Sequence, residues 1–458
     1  MTVDRTRLPV PGADRPFHFP RIVRRTLANG LELRAVRHRS VPIVSIVLLV
    51  RGGSSVDPAD AHGLVSITAG LLDEGSRGQS ALDIADRVAR IGGDLDLEAG
   101  MDAVVVGLTT LDRFFETGLE LVHEIVTAPN LANNDFNRIR NLRLERLKQM
   151  KDHAAALAER AYARVLYGSH PYGHLSLGSE AALTSMTVDS VRALHAAVFA
   201  PAGSTLIVVG DRSEEELLDL AAKMFDPWRA TLSSMPIDRD AALRPPPAFP
   251  EVKLGVVSRP GAAQSELRIG HACAARSTPD YPALLILNTI LGGDFVSRLN
   301  LNLREAKGYT YGVRTGFNLR RGIGPFVMQT SVGTDVTGPA VQEALAEIHA
   351  IAGARPPTPD EVALAFASVS KGYPRGFETA GQVARSVAQL ALHNLSDSYF
   401  AEFVPRLSQI TAEDVGSAAR QYLVPAKMTT LIVGDLDKIH GSLSGLGLGP
   451  YQLLTADL

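Results

Sequence analysis

The chain of 458 residues is poor in cysteine and tryptophan, with one of each, and it has no excess of basic residues. Its single cysteine, Cys273, excludes an internal disulfide and a zinc site built from thiolates. We expect it to be a small buried apolar residue. The formal net charge of −3 provides no basic face of the kind that binds nucleic acid. No stretch approaches the roughly 20 apolar residues of a membrane-spanning helix. These absences predict a globular protein with no nucleic-acid partner and no membrane span.

The first 20 residues are polar, contain four prolines and lack the apolar core of a signal peptide. We predict that residues 1–20 form an irregular N-terminal arm. The compartment stays open between the cytoplasm and, if an export signal has been removed, the periplasm.

Two segments of the chain resemble each other. One begins at Thr187 as TVDSV and continues at Pro201 as PAGSTLIVVGD, and the other begins at Thr411 as TAEDV and continues at Pro425 as PAKMTTLIVGD. The spacing is the same in both copies. A repeat of this length predicts a duplicated domain rather than a solenoid, and each half is long enough to bury its own core.

Strand-like and helix-like patterns alternate in both halves. Strands are predicted at residues 31–36, 41–50, 104–110, 205–209, 266–271, 327–332 and 429–433. Helices are predicted at residues 61–72, 81–91, 114–126, 136–167, 283–291, 341–351, 359–371 and 381–392. The pattern predicts an α+β fold of two homologous halves, each an antiparallel sheet with helices packed on one side.

The domain boundaries follow from the repeat and from one proline-rich stretch. Residues 229–250 contain PPPAFP, a composition typical of a stiff linker. We predict a first repeat at 21–228, a second at 251–445 and a C-terminal tail at 446–458.

Five short segments carry a family resemblance. They are LANGLEL at 27–33, VRGGS at 50–54, GL at 63–64, HPYG at 170–173 and LGGDFVSRL at 291–299. With the duplication and the linker, they resemble the pitrilysin/insulinase-type zinc metallopeptidases over roughly residues 21–440. Active members of that family carry His-x-x-Glu-His on a helix of the first repeat, with a further glutamate downstream. Histidines four residues apart lie on one helix face and can hold zinc, and the glutamate can take a proton from the zinc-bound water.

The residues that match this motif cannot hold a metal. Ser66 and Gly70 stand at the histidine positions, and Ala69 stands at the glutamate position. The position of the downstream glutamate ligand corresponds to Glu145 or to Arg146. The resemblance therefore implies that this chain has no zinc site and no cofactor of its own.

Other side chains near the same helix could in principle ligate a metal, but we do not predict a metal site from them. They are His62, Asp73, Glu74 and Asp94. The three carboxylates are interpreted as capping and surface groups. His170 and His174 are four residues apart, but Pro171 between them excludes a regular helix, so a turn with hydrogen bonds from His170 and Tyr172 is expected.

The second repeat contains an Arg/Tyr pair in LREAKGYTYG, residues 303–312. Arg304 is predicted near the end of a helix at 299–307, which Gly308 terminates. The next strand is predicted to begin at Tyr309, with Tyr311 early in it. The residues alone favour an interpretation without function, in which Arg304 is a solvated side chain at a helix end and Tyr311 packs on a strand. In the family, an Arg and a Tyr at this spacing contact the substrate backbone. The resemblance implies the same role for Arg304 and Tyr311, since a guanidinium and a phenol can donate to carbonyl and oxyanion oxygens.

Two functions stay open. Some family members divide the work between a chain with the zinc motif and a chain with the Arg/Tyr pair. The resemblance implies that this chain is the non-zinc subunit of a heterodimeric peptidase, inactive alone, that binds peptide substrate. Arg304 and Tyr311 would act in trans to a zinc-bearing paralogous partner. The alternative is a non-catalytic structural or binding protein of the same fold. The doublet at 292–293 is too short to imply the presequence-gripping role of the family's glycine-rich loop.

Overall fold

The computed structural model describes residues 17–249 and 251–455, which form two similar halves, each built around a six-stranded sheet. The strands of the first half are β1 (Ile22–Thr26), β2 (Glu32–Arg37), β3 (Ile43–Arg51), β4 (Gly75–Ser76), β5 (Gln79–Ser80), β6 (Asp94–Ala99), β7 (Ala103–Leu111) and β8 (Ser204–Gly210). Its helices are α1 (Leu64–Ala69), α2 (Ala81–Arg90), α3 (Phe115–Thr127), α4 (Asn133–Lys151), α5 (Ala154–Tyr167), α6 (Glu180–Ser185), α7 (Val188–Val198) and α8 (Glu214–Phe225).

The second half repeats the plan. Its strands are β9 (Leu254–Ser258), β10 (Gln264–Ala274), β11 (Arg314–Phe317), β12 (Gly324–Gly333), β13 (Thr429–Gly434) and β14 (Gln452–Leu454). Its helices are α9 (Tyr281–Asn288), α10 (Thr337–Ala352), α11 (Pro359–Gly372), α12 (Ala380–His393), α13 (Tyr399–Leu407), α14 (Ala412–Tyr422) and α15 (Leu436–Leu443). None of the helices in the two described ranges is long and apolar enough to cross a membrane.

The sheet orders are β1-β2-β8-β3-β7-β6 and β11-β12-β10-β13-β9-β14. Most neighbouring strands run antiparallel, while the pairs β2–β8, β9–β13 and β9–β14 run parallel. The predicted α+β class with two homologous halves is confirmed. The predicted domain boundaries stay predictions.

The repeated segments found in the sequence fold in the same way. The Thr187 hydroxyl accepts the Ser190 N–H at the start of α7, and the Thr411 hydroxyl accepts the Asp414 N–H at the start of α14. Each helix leads to a fully buried strand inside its sheet, β8 or β13. The repeated threonine therefore caps the start of the corresponding helix in both halves.

The two halves exchange one helix each. The helices of each half cover one face of their own sheet. The other face of the first sheet receives α12, with Val383 and Val387 packed on Val47 and Ile207, and the other face of the second sheet receives α5. A buried apolar side chain contributes roughly 1.5–3 kcal/mol, so the exchanged helices join the halves strongly.

A buried polar network also joins the halves. The Tyr172 hydroxyl donates to Asp102 Oδ1 at 2.6 Å and accepts the Gly322 N–H at 3.0 Å. Asp102 Oδ2 accepts the Arg321 N–H at 2.9 Å. Tyr172 belongs to the HPYG segment, so this segment fastens the first half to the β11–β12 connection of the second.

Some local predictions need correction. The helix predicted at 61–72 is shorter, because Gly63 has φ +97° and Asp57 accepts the N–H groups of Gly63 and Val65 at 2.7 Å before α1 begins. Strands β1 and β6 and helix α8 were not predicted. Cys273 in β10 is half-buried rather than fully buried, and burial raises the pKa of its thiol to about 12.

Candidate functional site

The helix that matches the family's zinc motif is α1, and an arginine lies against its ligand positions. Arg143 on α4 donates from Nη1 to Ser66 Oγ at 2.9 Å and from Nη2 to the Ser66 carbonyl at 2.7 Å. A Cβ atom at Gly70 would lie 3.3 Å from Arg143 Nη2. Burial lowers the pKa of Arg143 to about 10, so the group stays cationic at neutral pH. A fixed positive charge therefore lies between the two positions that hold histidines in active relatives.

The downstream ligand position does not complete a site. Glu145 is 64% exposed and pairs with Lys148 at 2.8 Å, and Arg146 is also exposed. Across residues 17–249 and 251–455, no three His, Cys, Asp or Glu side chains come close enough to hold a metal ion. Ser66, Ala69 and Gly70 supply no ligand that suits zinc, and the Arg143 cation opposes one, so these residues do not fit the metal.

The other candidate ligands are used in local structure. His62 stacks on His174 with ring centroids 3.9 Å apart, and burial followed by the charge of His174 lowers the pKa of His62. His174 Nε2 lies 3.0 Å from the Ser54 carbonyl and 3.2 Å from Asp57 Oδ2. His170 Nδ1 accepts the Tyr172 N–H at 3.1 Å, which confirms the predicted turn.

The three carboxylates near α1 also have local roles. Asp94 is exposed at the start of the edge strand β6. Glu74 forms an ion pair with Arg138. Asp73 and Glu74 are half-buried rather than at the surface, and burial raises the pKa of both.

The Arg/Tyr pair lies on a short helical segment and the loop after it. The predicted helix is a π-helix over Asn300–Ala306. It ends at Gly308, whose φ of +64° confirms the predicted terminator. The strand predicted from Tyr309 is wrong, since β11 begins only at Arg314. The Thr310 hydroxyl accepts the Gly312 N–H at 3.1 Å and bends the chain there, which leaves Tyr311 95% exposed.

Arg304 and Tyr311 line the same cavity, which has a volume of about 550 Å³. Phe295, which is 62% exposed, covers the Arg304 guanidinium with 3.7 Å between Cζ and the ring centroid. Arg304 Nη1 is buried, donates no hydrogen bond to any residue in the described ranges, and forms a long ion pair with Glu305 Oε1 at 3.4 Å. The structure thus brings the two predicted residues to one opening, and their role there stays a prediction.

Asn300 holds both parts of this cavity wall. Its side-chain amide is buried and donates to the Asp294 carbonyl at 3.1 Å and to the Val313 carbonyl at 3.0 Å. Its Oδ1 accepts the Val313 N–H at 2.8 Å. One side chain therefore fixes the loop that carries Phe295 and the segment that carries Tyr311. Asn300 was not predicted as a site residue, although its position between two leucines was an available signal.

The cavity floor is formed by β10 and β12. Arg268 Nη1 pairs with Glu266 Oε2 at 3.1 Å, and Glu266 Oε1 accepts a hydrogen bond from Ser331. Ala155, near the start of the exchanged helix α5, closes one side. The cavity therefore combines a polar floor with aromatic side chains at its mouth.

Comparisons with known proteins give a consistent result. The family description "Insulinase (Peptidase family M16)" matches residues 34–177, and "Peptidase M16 inactive domain" matches residues 185–368. A crystal structure of a peptidase M16 inactive domain from Pseudomonas fluorescens superposes with a TM-score of 0.84 at 26% identity. The match covers 90% of this chain and 98% of that one.

Curated relatives are more distant in sequence. An uncharacterized zinc protease of Mycobacterium leprae is 22% identical, over 88% of this chain and 89% of its own. A non-peptidase homolog of Helicobacter pylori is 21% identical, over 68% of this chain and 74% of its own.

The fold and the site define a duplicated metallopeptidase-type protein whose metal-binding helix has lost its ligands. The chain belongs to peptidase family M16, and it is an inactive-type member related to proteins named as zinc proteases.

Proposed function

We propose that this chain is the non-zinc subunit of a heterodimeric zinc-dependent peptidase. In this role it binds peptide substrate and supplies Arg304 and Tyr311 in trans to a zinc-bearing paralogous subunit. One observation carries the proposal. Arg304 and Tyr311 open on one cavity, with the Tyr311 phenol exposed, while Arg143 stands where the metal helix would need a ligand.

The chemistry divides between the two subunits. The partner's zinc supplies the Lewis acid and the nucleophilic water when it is bound. In this chain, the Arg304 guanidinium offers hydrogen bonds to substrate carbonyls, and the Tyr311 hydroxyl donates to the oxygen on which negative charge develops. Asn300 lies on the same helix as Arg304 and bonds to Val313, two residues after Tyr311, so it ties the segments that carry the two groups to each other.

The test mixes the purified chain with a zinc-bearing paralogue from the same source and measures cleavage of a quenched fluorescent peptide. We expect activity that neither chain shows alone. Tyr311→Phe and Arg304→Ala should each lower kcat/KM by roughly 100-fold, the effect of losing one oxyanion donor. Arg90→Ala, an exposed arginine on α2, is the matched control and should change nothing. If mixing gives no gain, or if both site variants match wild type, the proposal fails.

A structural or binding protein is the second candidate. The observation in its favour is that the Phe295 ring already covers the Arg304 guanidinium. This contact is expected if Arg304 serves only in packing. A relative named as a non-peptidase homolog is compatible with this reading. Stable recovery of the chain in an assembly without any zinc-bearing relative would favour this candidate over the first.

A further inference from the structure

The floor of the Arg304/Tyr311 cavity carries a row of hydrogen-bond donors across three strands. Gln329 on β12 is paired with Arg268 on β10 and with Arg314 on β11. Residues paired across neighbouring strands point to the same face of a sheet, and all three line the cavity. A ligand on the floor therefore meets two guanidinium groups with an amide between them.

The charge of this row is not cancelled. Arg268 is committed to Glu266 and to the Leu267 carbonyl. Asp294, the second acid in the lining, accepts hydrogen bonds from the Phe295 N–H and the Ser368 hydroxyl. Arg314 and Gln329 make no side-chain hydrogen bond or ion pair to any residue of the described ranges. Arg314 is left as an exposed cation in a lining of three arginines and two carboxylates.

A second feature of the wall also calls for an anion. Arg304 Nη1 is buried without a hydrogen-bond partner in the part of the chain that the structure describes. It forms only a long ion pair with Glu305 at 3.4 Å, beyond ordinary hydrogen-bond length. A buried donor without a hydrogen bond is costly, so this wall of the cavity favours an acceptor beside the row.

We infer that the cavity selects peptides that carry a carboxylate, held by Arg314 and Gln329 beside the residues that Arg304 and Tyr311 contact. This inference rests on the proposed function for its peptide ligand and adds the class of peptide. An arginine with an adjacent amide donor matches the two oxygens of a carboxylate and forms charge-assisted hydrogen bonds. The carboxylate belongs either to an Asp or Glu side chain or to the peptide C-terminus.

The experiment measures binding to the single chain by fluorescence anisotropy, so no partner is needed. The probes are four labelled, unstructured peptides. Two sequences are used, identical except that one has Glu and the other Gln at two positions, and each is made with a free and with an amidated C-terminus. We expect the Gln and amidated form to bind about tenfold more weakly than the Glu form with a free C-terminus, as loss of a charge-assisted bond implies. The two mixed forms show which carboxylate is recognised.

The variants assign the effect to the row. Arg314→Gln should remove the discrimination between the peptides, and Arg314→Glu should reverse it. Arg90→Gln is the control, because it changes the net charge by the same amount as Arg314→Gln but at a distant exposed position. It should retain full discrimination. Equal binding of all four peptides, or discrimination that persists in Arg314→Gln, overturns the inference. A peptidase assay that fails for lack of a partner leaves this result unaffected, so the two proposals can fail separately.

Discussion

Arg143 donates two hydrogen bonds to Ser66, one to its hydroxyl and one to its carbonyl, and so ties α4 to α1. A guanidinium therefore connects these two helices of the first half.

Arg143→Ala should lower the free energy of unfolding by roughly 2–3 kcal/mol, because both charge-assisted hydrogen bonds are lost. Urea denaturation followed by circular dichroism measures the change. Arg146→Ala, an exposed neighbour on the same helix, is the control and should stay within about 0.5 kcal/mol of wild type. Equal effects from the two variants would show that the Ser66 contact does not stabilise the helix pair.

Added zinc should leave the melting temperature unchanged, since a ligand raises stability only when it binds the folded state. The reason is the Arg143 cation beside positions 66 and 70, neither of which carries a zinc ligand. Differential scanning fluorimetry with zinc and with a chelator checks this on chain free of a histidine tag. Stoichiometric zinc in elemental analysis would contradict it, and a His62→Ala variant would then test whether the stacked histidines hold the metal.

Asn300→Ala should loosen the segment from Asp294 to Val313. The buried amide bonds to both ends of that segment, so its removal leaves backbone groups unsatisfied at a cost of about 1–3 kcal/mol. Limited proteolysis should become faster within this segment, and peptide binding should weaken even though Arg304 and Tyr311 are still present. Asn318→Ala, exposed on the same half, should show neither effect. Unchanged proteolysis in Asn300→Ala would refute the positioning role.

Tyr172→Phe should destabilise the joined halves by roughly 2 kcal/mol, because Asp102 is buried and loses a donor. Tyr311→Phe removes the same hydroxyl from an exposed side chain and should leave stability unchanged. Urea midpoints of the two variants make the comparison direct. If both match wild type, the network between the halves contributes nothing measurable.

Stability should fall as the pH drops from 6.5 towards 4. Burial, with a smaller contribution from Arg276, lowers the pKa of His393 to about 4 in the folded chain, and its Nδ1 has no hydrogen-bond partner among the described residues. Between the two pKa values the unfolded chain binds a proton that the folded chain does not, so acid favours unfolding.

The loss from this one group reaches up to roughly 3 kcal/mol. Urea midpoints at several pH values measure it, and His393→Phe should flatten the pH dependence relative to wild type. The flattening should be partial, because burial also lowers the pKa of His195 and His271. Parallel pH profiles for the variant and wild type would count against this assignment.

Local signals in the sequence predicted local structure well. Gly308 was predicted as a helix end and is one, because its positive φ acts on the backbone within a few residues. The strand predicted from Tyr309 failed for the converse reason. Alternating side chains favour a strand, but the Thr310 hydroxyl bends the backbone before pairing with β12 begins.

Residues that act over long distances were not predictable. Arg143 lies far along the chain from Ser66. The family resemblance brings the segments around 66–70 and 145–146 together, but it does not indicate that Arg143 is the residue that contacts Ser66. Asn300 looked like one polar residue in a helical pattern, and its bonds to Val313 depend on how the π-helix packs. The packing of α5 on the second sheet and of α12 on the first was not predictable either, since an amphipathic sequence does not specify which sheet a helix covers.

The sequence by itself determined the duplication, the α+β class and the loss of zinc ligands at Ser66, Ala69 and Gly70, because these depend on residue identity and local spacing. The tertiary structure alone decided which side chain lies against Ser66 and Gly70, which helix covers which sheet, and that Arg304, Tyr311 and the Arg268–Gln329–Arg314 row share one cavity. Those relations arise from packing between distant segments, which minimises exposed apolar surface across the whole chain rather than within any one part of it.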